Sequence, residues 1–169
     1  MRKKNALLLA FVMAFGTPAP LRTHFRAQAS PAPRTLKVKL NYTGAGIVDE
    51  KHKIYVLLFD ANPFTASTLV DATSQVPPPA PVPGVSHILA RQGAAGKDKT
   101  LTFSGLSISP VYAAVFLDKS GTYNGQPDSS SGGPMGVYGK LPDKLEPINL
   151  EEGKSAQVIL TFDDSAKMP

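Results

Sequence analysis

The sequence predicts an all-β protein: a single antiparallel β-sandwich of about seven strands, preceded by a cleavable signal peptide. Three observations carry that expectation. Short apolar stretches recur between turn signals from residue 35 onward, several with the period of two that marks a strand with one dry face. Beyond residue 29 no stretch shows a convincing helical pattern. The one long apolar run, residues 6–15 (ALLLAFVMAF), follows Arg2, Lys3 and Lys4 and precedes Ala27-Gln28-Ala29. Positive start, apolar middle and small-x-small end are the parts of a secretory leader. The run is shorter than the ~20 residues that span a bilayer as a helix. Export with cleavage after Ala29, to the periplasm or the outside of the cell, is the expected fate, with residues 1–29 removed.

Removing the leader changes the charge. The whole chain has 18 Lys and Arg against 13 Asp and Glu, a net charge of +5. Arg2, Lys3, Lys4, Arg22 and Arg26 hold that entire excess, so the remainder is formally neutral. Its bases stand in spaced pairs such as Lys37 with Lys39 and Lys97 with Lys99, which argues against nucleic acid as a partner. No second apolar run reaches membrane length, so no membrane span is expected in the mature form. The chain has no cysteine, which excludes disulfides, thiol catalysis and cysteine-bound metal. The mature domain must rely on its core.

Residues 30–34 read as a flexible start. Residues 35–42 (TLKVKLNY) place Leu36, Val38, Leu40 and Tyr42 on one face and Lys37, Lys39 and Asn41 on the other. Residues 53–60 (KIYVLLFD) are apolar on both faces, as a central strand is. Residues 61–91 are hard to assign, and the proline-rich insert at 76–84 can be neither helix nor interior strand. It is expected to be a stiff surface connection. Residues 85–90 (VSHILA) and 100–103 (TLTF) read as short strands, and 110–118 (PVYAAVFLD) as a second buried one. A Gly/Ser/Asp/Asn/Pro-rich loop follows at 119–134, then short edge candidates at 135–138 and 147–150. Residues 155–162 (SAQVILTF) close the domain at 164, leaving a tail at 165–169.

Phe103-Ser104-Gly105-Leu106, leading through Pro110 into Tyr112 to Asp118 and a Gly/Asn-rich loop, resembles the transthyretin-like (prealbumin-like) β-sandwiches of exported bacterial proteins and the related carboxypeptidase regulatory-like domains. The likeness spans most of residues 35–164, and residues 103–125 carry what is distinctive in it. Val111 stands where that family usually has glycine, and the proline-rich insert is a second departure. The resemblance implies a prealbumin-like or Ig-like sandwich acting as a non-catalytic accessory or binding module. It implies no particular ligand.

Candidate chemistry concentrates in the 118–128 loop. Asp118, Ser120, Thr122, Asn124 and Asp128 supply oxygen donors at alternating positions, a spacing that could wrap a calcium ion, although only the two aspartates bring charge. The competing reading is a hairpin loop whose polar side chains bond their own backbone. Tyr123 and Tyr138 flank the loop and are the candidates for stacking on a sugar or peptide. The expected partner is thus a protein or carbohydrate in the envelope or outside the cell, and the alternative function is a calcium- or carbohydrate-dependent adhesion module. No G-x-S-x-G, H-E-x-x-H or phosphate-binding Gly-Lys loop is present. A hydrolase would have to assemble its site from distant residues, for example His87 with Asp60 and a serine. Otherwise His52 and His87 are expected to be solvent-exposed.

Overall fold

The computed structural model describes residues 32–126, 131–141 and 144–168. The leader at 1–29 lies outside the described residues. The described residues contain ten strands and no helix, and among them no helix is long and apolar enough to cross a membrane.

The strands are β1 (Arg34–Tyr42), β2 (Ile54–Phe59), β3 (Thr68–Asp71), β4 (Val85–Ala94), β5 (Thr100–Leu106), β6 (Tyr112–Leu117), β7 (Met135–Val137), β8 (Gly139–Lys140), β9 (Lys144–Leu145) and β10 (Ser155–Phe162). They form a three-stranded sheet in the order β10-β1-β5 and a five-stranded sheet in the order β3-β4-β2-β6-β7, with β8 and β9 as a small hairpin. The alternation expected at 35–42 is present: Leu36, Val38, Leu40 and Tyr42 are buried. The doubly apolar 53–60 segment is indeed central, β2 lying between β4 and β6.

The expected all-antiparallel pairing is wrong. β1 runs parallel to β10 over eight residue pairs, from Thr35↔Ser155 to Tyr42↔Phe162, and β3 runs parallel to β4. Alternation could not reveal this, because a strand with one dry face has the same period whichever way its neighbour runs. The count of seven was low for a related reason. Four-residue β3 is exposed apart from half-buried Val70, so it carries no apolar stripe, and β8 and β9 are two residues each. β4 also runs on past residue 90 to Ala94. The 147–150 edge candidate reduces to a single bridge between Val111 and Ile148.

Two apolar clusters divide the core. One contains Leu36, Val38 and Leu40 of the three-stranded sheet together with Ile54, Val56, Leu58 and Val115 of the five-stranded sheet. The other lies on the opposite face of the five-stranded sheet and contains Leu57, Phe59, Ile88, Ala114, Phe116 and Met135. Burial of each such large side chain stabilises by about 1.5–3 kcal/mol. The first cluster is sealed by a sheet, the second by loops and the C-terminal tail, and that difference positions the candidate site.

Candidate functional site

The loop after β6 is organised by Asp118. That residue is 2% exposed. One carboxylate oxygen accepts from the Ser120 hydroxyl at 2.8 Å and the Gly121 N–H at 2.9 Å, and the other from the Tyr123 N–H at 2.8 Å. Burial pushes its pKa up, but the hydrogen bonds from Tyr123, Ser120 and Gly121 outweigh it, and the net shift is downward. Ser120 and Thr122 hydroxyls bond each other at 2.6 Å, and Asn124 accepts from the Gln126 N–H at 3.0 Å. Asp128 lies outside the described residues.

The described atoms of the loop do not converge on one point as a cation cage does. Calcium wants six to eight oxygens, several of them carboxylate, directed at one point. Here the one described carboxylate spends both oxygens on the loop itself, and among the described residues no three His, Cys, Asp or Glu side chains come together as a metal site. The described donors thus serve the loop's own backbone, as the hairpin reading has it.

What Asp118 does accomplish is to place Tyr123. The Tyr123 ring packs against Tyr55 (centroids 4.5 Å apart) and edge-on against Phe116 (4.9 Å). Arg91 on β4 reaches the same ring, its guanidinium carbon 5.7 Å from the centroid. Arg91 donates to the Tyr123 hydroxyl at 3.3 Å and the Gly125 carbonyl at 3.2 Å, and its other terminal nitrogen lies 3.4 Å from Asp71. Gly125 has φ of +100°, and a Cβ there would stand 2.7 Å from the Arg91 guanidinium. The positive φ is what glycine alone adopts without strain. Tyr138 is elsewhere: it packs on the cluster shared by the two sheets, whereas Tyr123 packs on the opposite one. The structure does not bring the two tyrosines to one platform.

Below Tyr123 an apolar cleft of about 230 Å³ opens over the outer face of the five-stranded sheet. Leu57, Phe59, Ile88 and Phe116 form its floor, and Phe64 and Leu69, 43% and 42% exposed, stand at its margin with Met168. Tyr123 and Gly125 also line a more polar recess of about 360 Å³ with Arg91, Gln92 and Asn124. Of the residues lining the cleft, the sequence singled out only Tyr123 as a binding candidate. Phe64 and Leu69 sit in the 61–91 stretch, whose cleft-forming residues have no common period.

Both described histidines have carboxylate partners. His52 is half-buried, with Nδ1 2.9 Å from Asp49. His87 is 5% exposed, contrary to the expectation of solvent exposure. Asp60 holds it twice, accepting from the His87 backbone N–H at 2.7 Å and lying 2.6 Å from Nδ1. The β2–β4 register slips between Leu58 and Phe59. The Asp60 carboxylate thus replaces a ladder carbonyl lost at that bulge. Ser86 beside it is fully buried, but its hydroxyl donates to the Ala61 carbonyl at 2.8 Å, and no described hydroxyl bonds the second ring nitrogen of His87. Asp60 and His87 thus form an acid–imidazole pair that no hydroxyl among the described residues extends to a triad. Comparison of the chain with protein-family models, curated proteins and solved structures finds no match.

Proposed function

We propose that this chain is an exported, non-catalytic binding module built as a β-sandwich, and that the cleft on the outer face of the five-stranded sheet is its binding site. Support for export comes from the leader pattern of residues 1–29, and for a periplasmic or extracellular setting from the neutral, cysteine-free remainder. A sandwich is supported by the single apolar cluster to which both sheets contribute. The transthyretin-like reading is supported by the 103–118 segment, where Gly105 adopts φ of +76° in open space at the end of β5 and the chain returns as β6.

The observation that carries the functional reading is the cleft itself. It is an apolar recess of about 230 Å³, open at the surface beside two large apolar residues that are more than two-fifths exposed. That volume falls below the roughly 300–1,000 Å³ of sites for drug-sized ligands and suits one aromatic or branched aliphatic group. The Tyr123–Arg91 rim supplies the few polar contacts that such sites use for orientation.

Saturable, one-to-one binding of the neutral fluorophore N-phenyl-1-naphthylamine tests the reading. Leu69→Glu and Phe64→Glu should each abolish the signal. Ile159→Glu, at an exposed apolar position on β10, should leave it intact. Equal binding by all three variants would overturn the assignment.

A further inference from the structure

Leu69 is at once a wall of the cleft and part of β3, the strand that ends the five-stranded sheet. Along β3 the Thr68 N–H donates to the Gly84 carbonyl at 3.2 Å, and beyond it the Ala72 N–H donates to that of Ile88 at 3.0 Å. Even-numbered residues therefore face β4, and the N–H and C=O groups of Leu69 and Asp71 point away from the sheet. Thr68, Leu69 and Asp71 are exposed, and no described backbone group pairs with that outer edge. The other end of the sheet is closed. The tail runs along β7, where the Met135 N–H donates to Ala166 (3.0 Å), Gly132 to Met168 (3.0 Å) and Met168 back to Gly133 (2.8 Å).

The same period of two puts the Leu69 and Asp71 side chains on the outer face together. Leu69 borders the cleft. Asp71 is exposed and holds Arg91 only loosely at 3.4 Å. Hydrogen bonds from the Thr73 hydroxyl and N–H lower its pKa, so at neutral pH it presents a negative charge beside an apolar recess.

We propose that the free edge of β3 takes up an extended segment of a partner protein as a sixth strand. A large apolar side chain of that segment fills the cleft beside Leu69, and a lysine or arginine two residues away meets Asp71. The inference rests on the cleft being the binding site and adds the partner's class and pattern. Two backbone donors and two acceptors repeating about every 6.6 Å match another extended chain, and a compact small molecule cannot meet them all. Charge narrows the rest: a cation opposite Asp71 adds a favourable cross-strand pair to its loose contact with Arg91, and a like charge there is unfavourable. A second copy of β3 is a poor occupant. Antiparallel pairing about Val70 would bring Leu69 and Asp71 opposite each other and offer no cation.

The test is amide NMR of the protein with capped heptapeptides of threonine carrying Phe-Thr-Lys or Lys-Thr-Phe at their centre, since strand direction is open. One order should bind saturably and shift the Leu69 and Asp71 amides. Glutamate in place of lysine should weaken it about threefold to fivefold, as a cross-strand pair of up to ~1 kcal/mol allows. Asp71→Lys should reverse that preference, and N-methylating the peptide's bonding amides should abolish binding to the unaltered protein. If naphthylamine fills the cleft while neither peptide moves those amides, strand addition is wrong and the cleft reading survives. If neither probe binds, both fail. Concentration-dependent dimerisation that itself shifts Leu69 and Asp71 would overturn the proposal in favour of a second copy.

Discussion

The two faces of the five-stranded sheet start from similar residues and end in different states. β2 and β6 are apolar on both sides, so each face needs a cover. The three-stranded sheet covers one, and Ile54, Val56, Leu58, Ala113, Val115 and Leu117 there are at most 1% exposed. Loops and the tail cover the other, with Tyr123, Ala166 and Met168 packed on it, and a cleft remains. A sheet is a periodic cover that can interdigitate along its whole length. A loop fills space only where a side chain happens to reach. Stability therefore belongs mainly to the inner face, and the open cleft to the outer one.

The largest test of that division is a pair of leucine truncations. Leu58→Ala, at 0% exposure on the inner face, should cost about 2–5 kcal/mol in urea unfolding. Leu69→Ala at the cleft margin should stay within about 0.5 kcal/mol while weakening naphthylamine binding. Similar costs at both positions would break the comparison. Next comes the bulge at the end of β2. Asp60→Ala strands the His87 N–H and its ring nitrogen in a buried site, and each lost partner costs about 1–3 kcal/mol. Asp60→Asn, which keeps an acceptor, should cost less. A neutral Asp60→Ala would show that His87 finds water there, and the pair would then merit tests as a site in its own right.

Sequence showed the inner face better than the outer one. Leu36, Val38 and Leu40 advertise themselves because a sheet contact repeats every second residue, and 155–162 does the same with Val158 and Leu160. The outer face is assembled from Phe64 in a turn, Leu69 on a four-residue edge strand, Tyr123 in a glycine-rich loop and Met168 in the tail. These are single contacts of long sequence separation, and no period connects them. The Asp118 loop was half legible. Its donors were visible, but oxygens spaced for an ion and oxygens spaced for their own backbone look alike until the chain is folded. Parallel pairing of β1 with β10 was not legible at all, since it depends on where the two ends of the domain meet.

Asp118 offers a third test, smaller and confined to the outer face. Its folded pKa is lowered, so its stabilisation is complete above the ordinary carboxylate value and disappears as pH falls through the folded one. Near-ultraviolet circular dichroism from the Tyr55–Phe116–Tyr123 group should therefore fade on acidification, and Asp118→Ala should remove it at neutral pH for about 1–3 kcal/mol. Millimolar calcium should not raise the melting temperature, since both oxygens of the described carboxylate are already engaged. A calcium-dependent rise abolished by Asp118→Ala would restore the ion-binding reading of this loop.

The smallest effect lies at the inner face's rim, where Tyr42 ties the two ends of the domain together. Its hydroxyl donates to Asp164 at 2.6 Å and accepts from the Gly46 N–H at 3.0 Å, while Asp164 also takes the Ala45 N–H at 2.8 Å. Burial first, then the bond to Asp164, raises the Tyr42 pKa to about 12. For a group raised in the fold, the neutral form is the stabilising one. Its contribution is full below the ordinary value near 10 and is lost as pH climbs through about 12. Tyr42→Phe should cost about 0.5–1.5 kcal/mol, leave naphthylamine binding unchanged, and remove one late-ionising tyrosine from the ultraviolet titration. Weakened cleft binding in that variant would mean that the faces are coupled through the sheet, and the division between a stabilising face and a binding face would no longer hold.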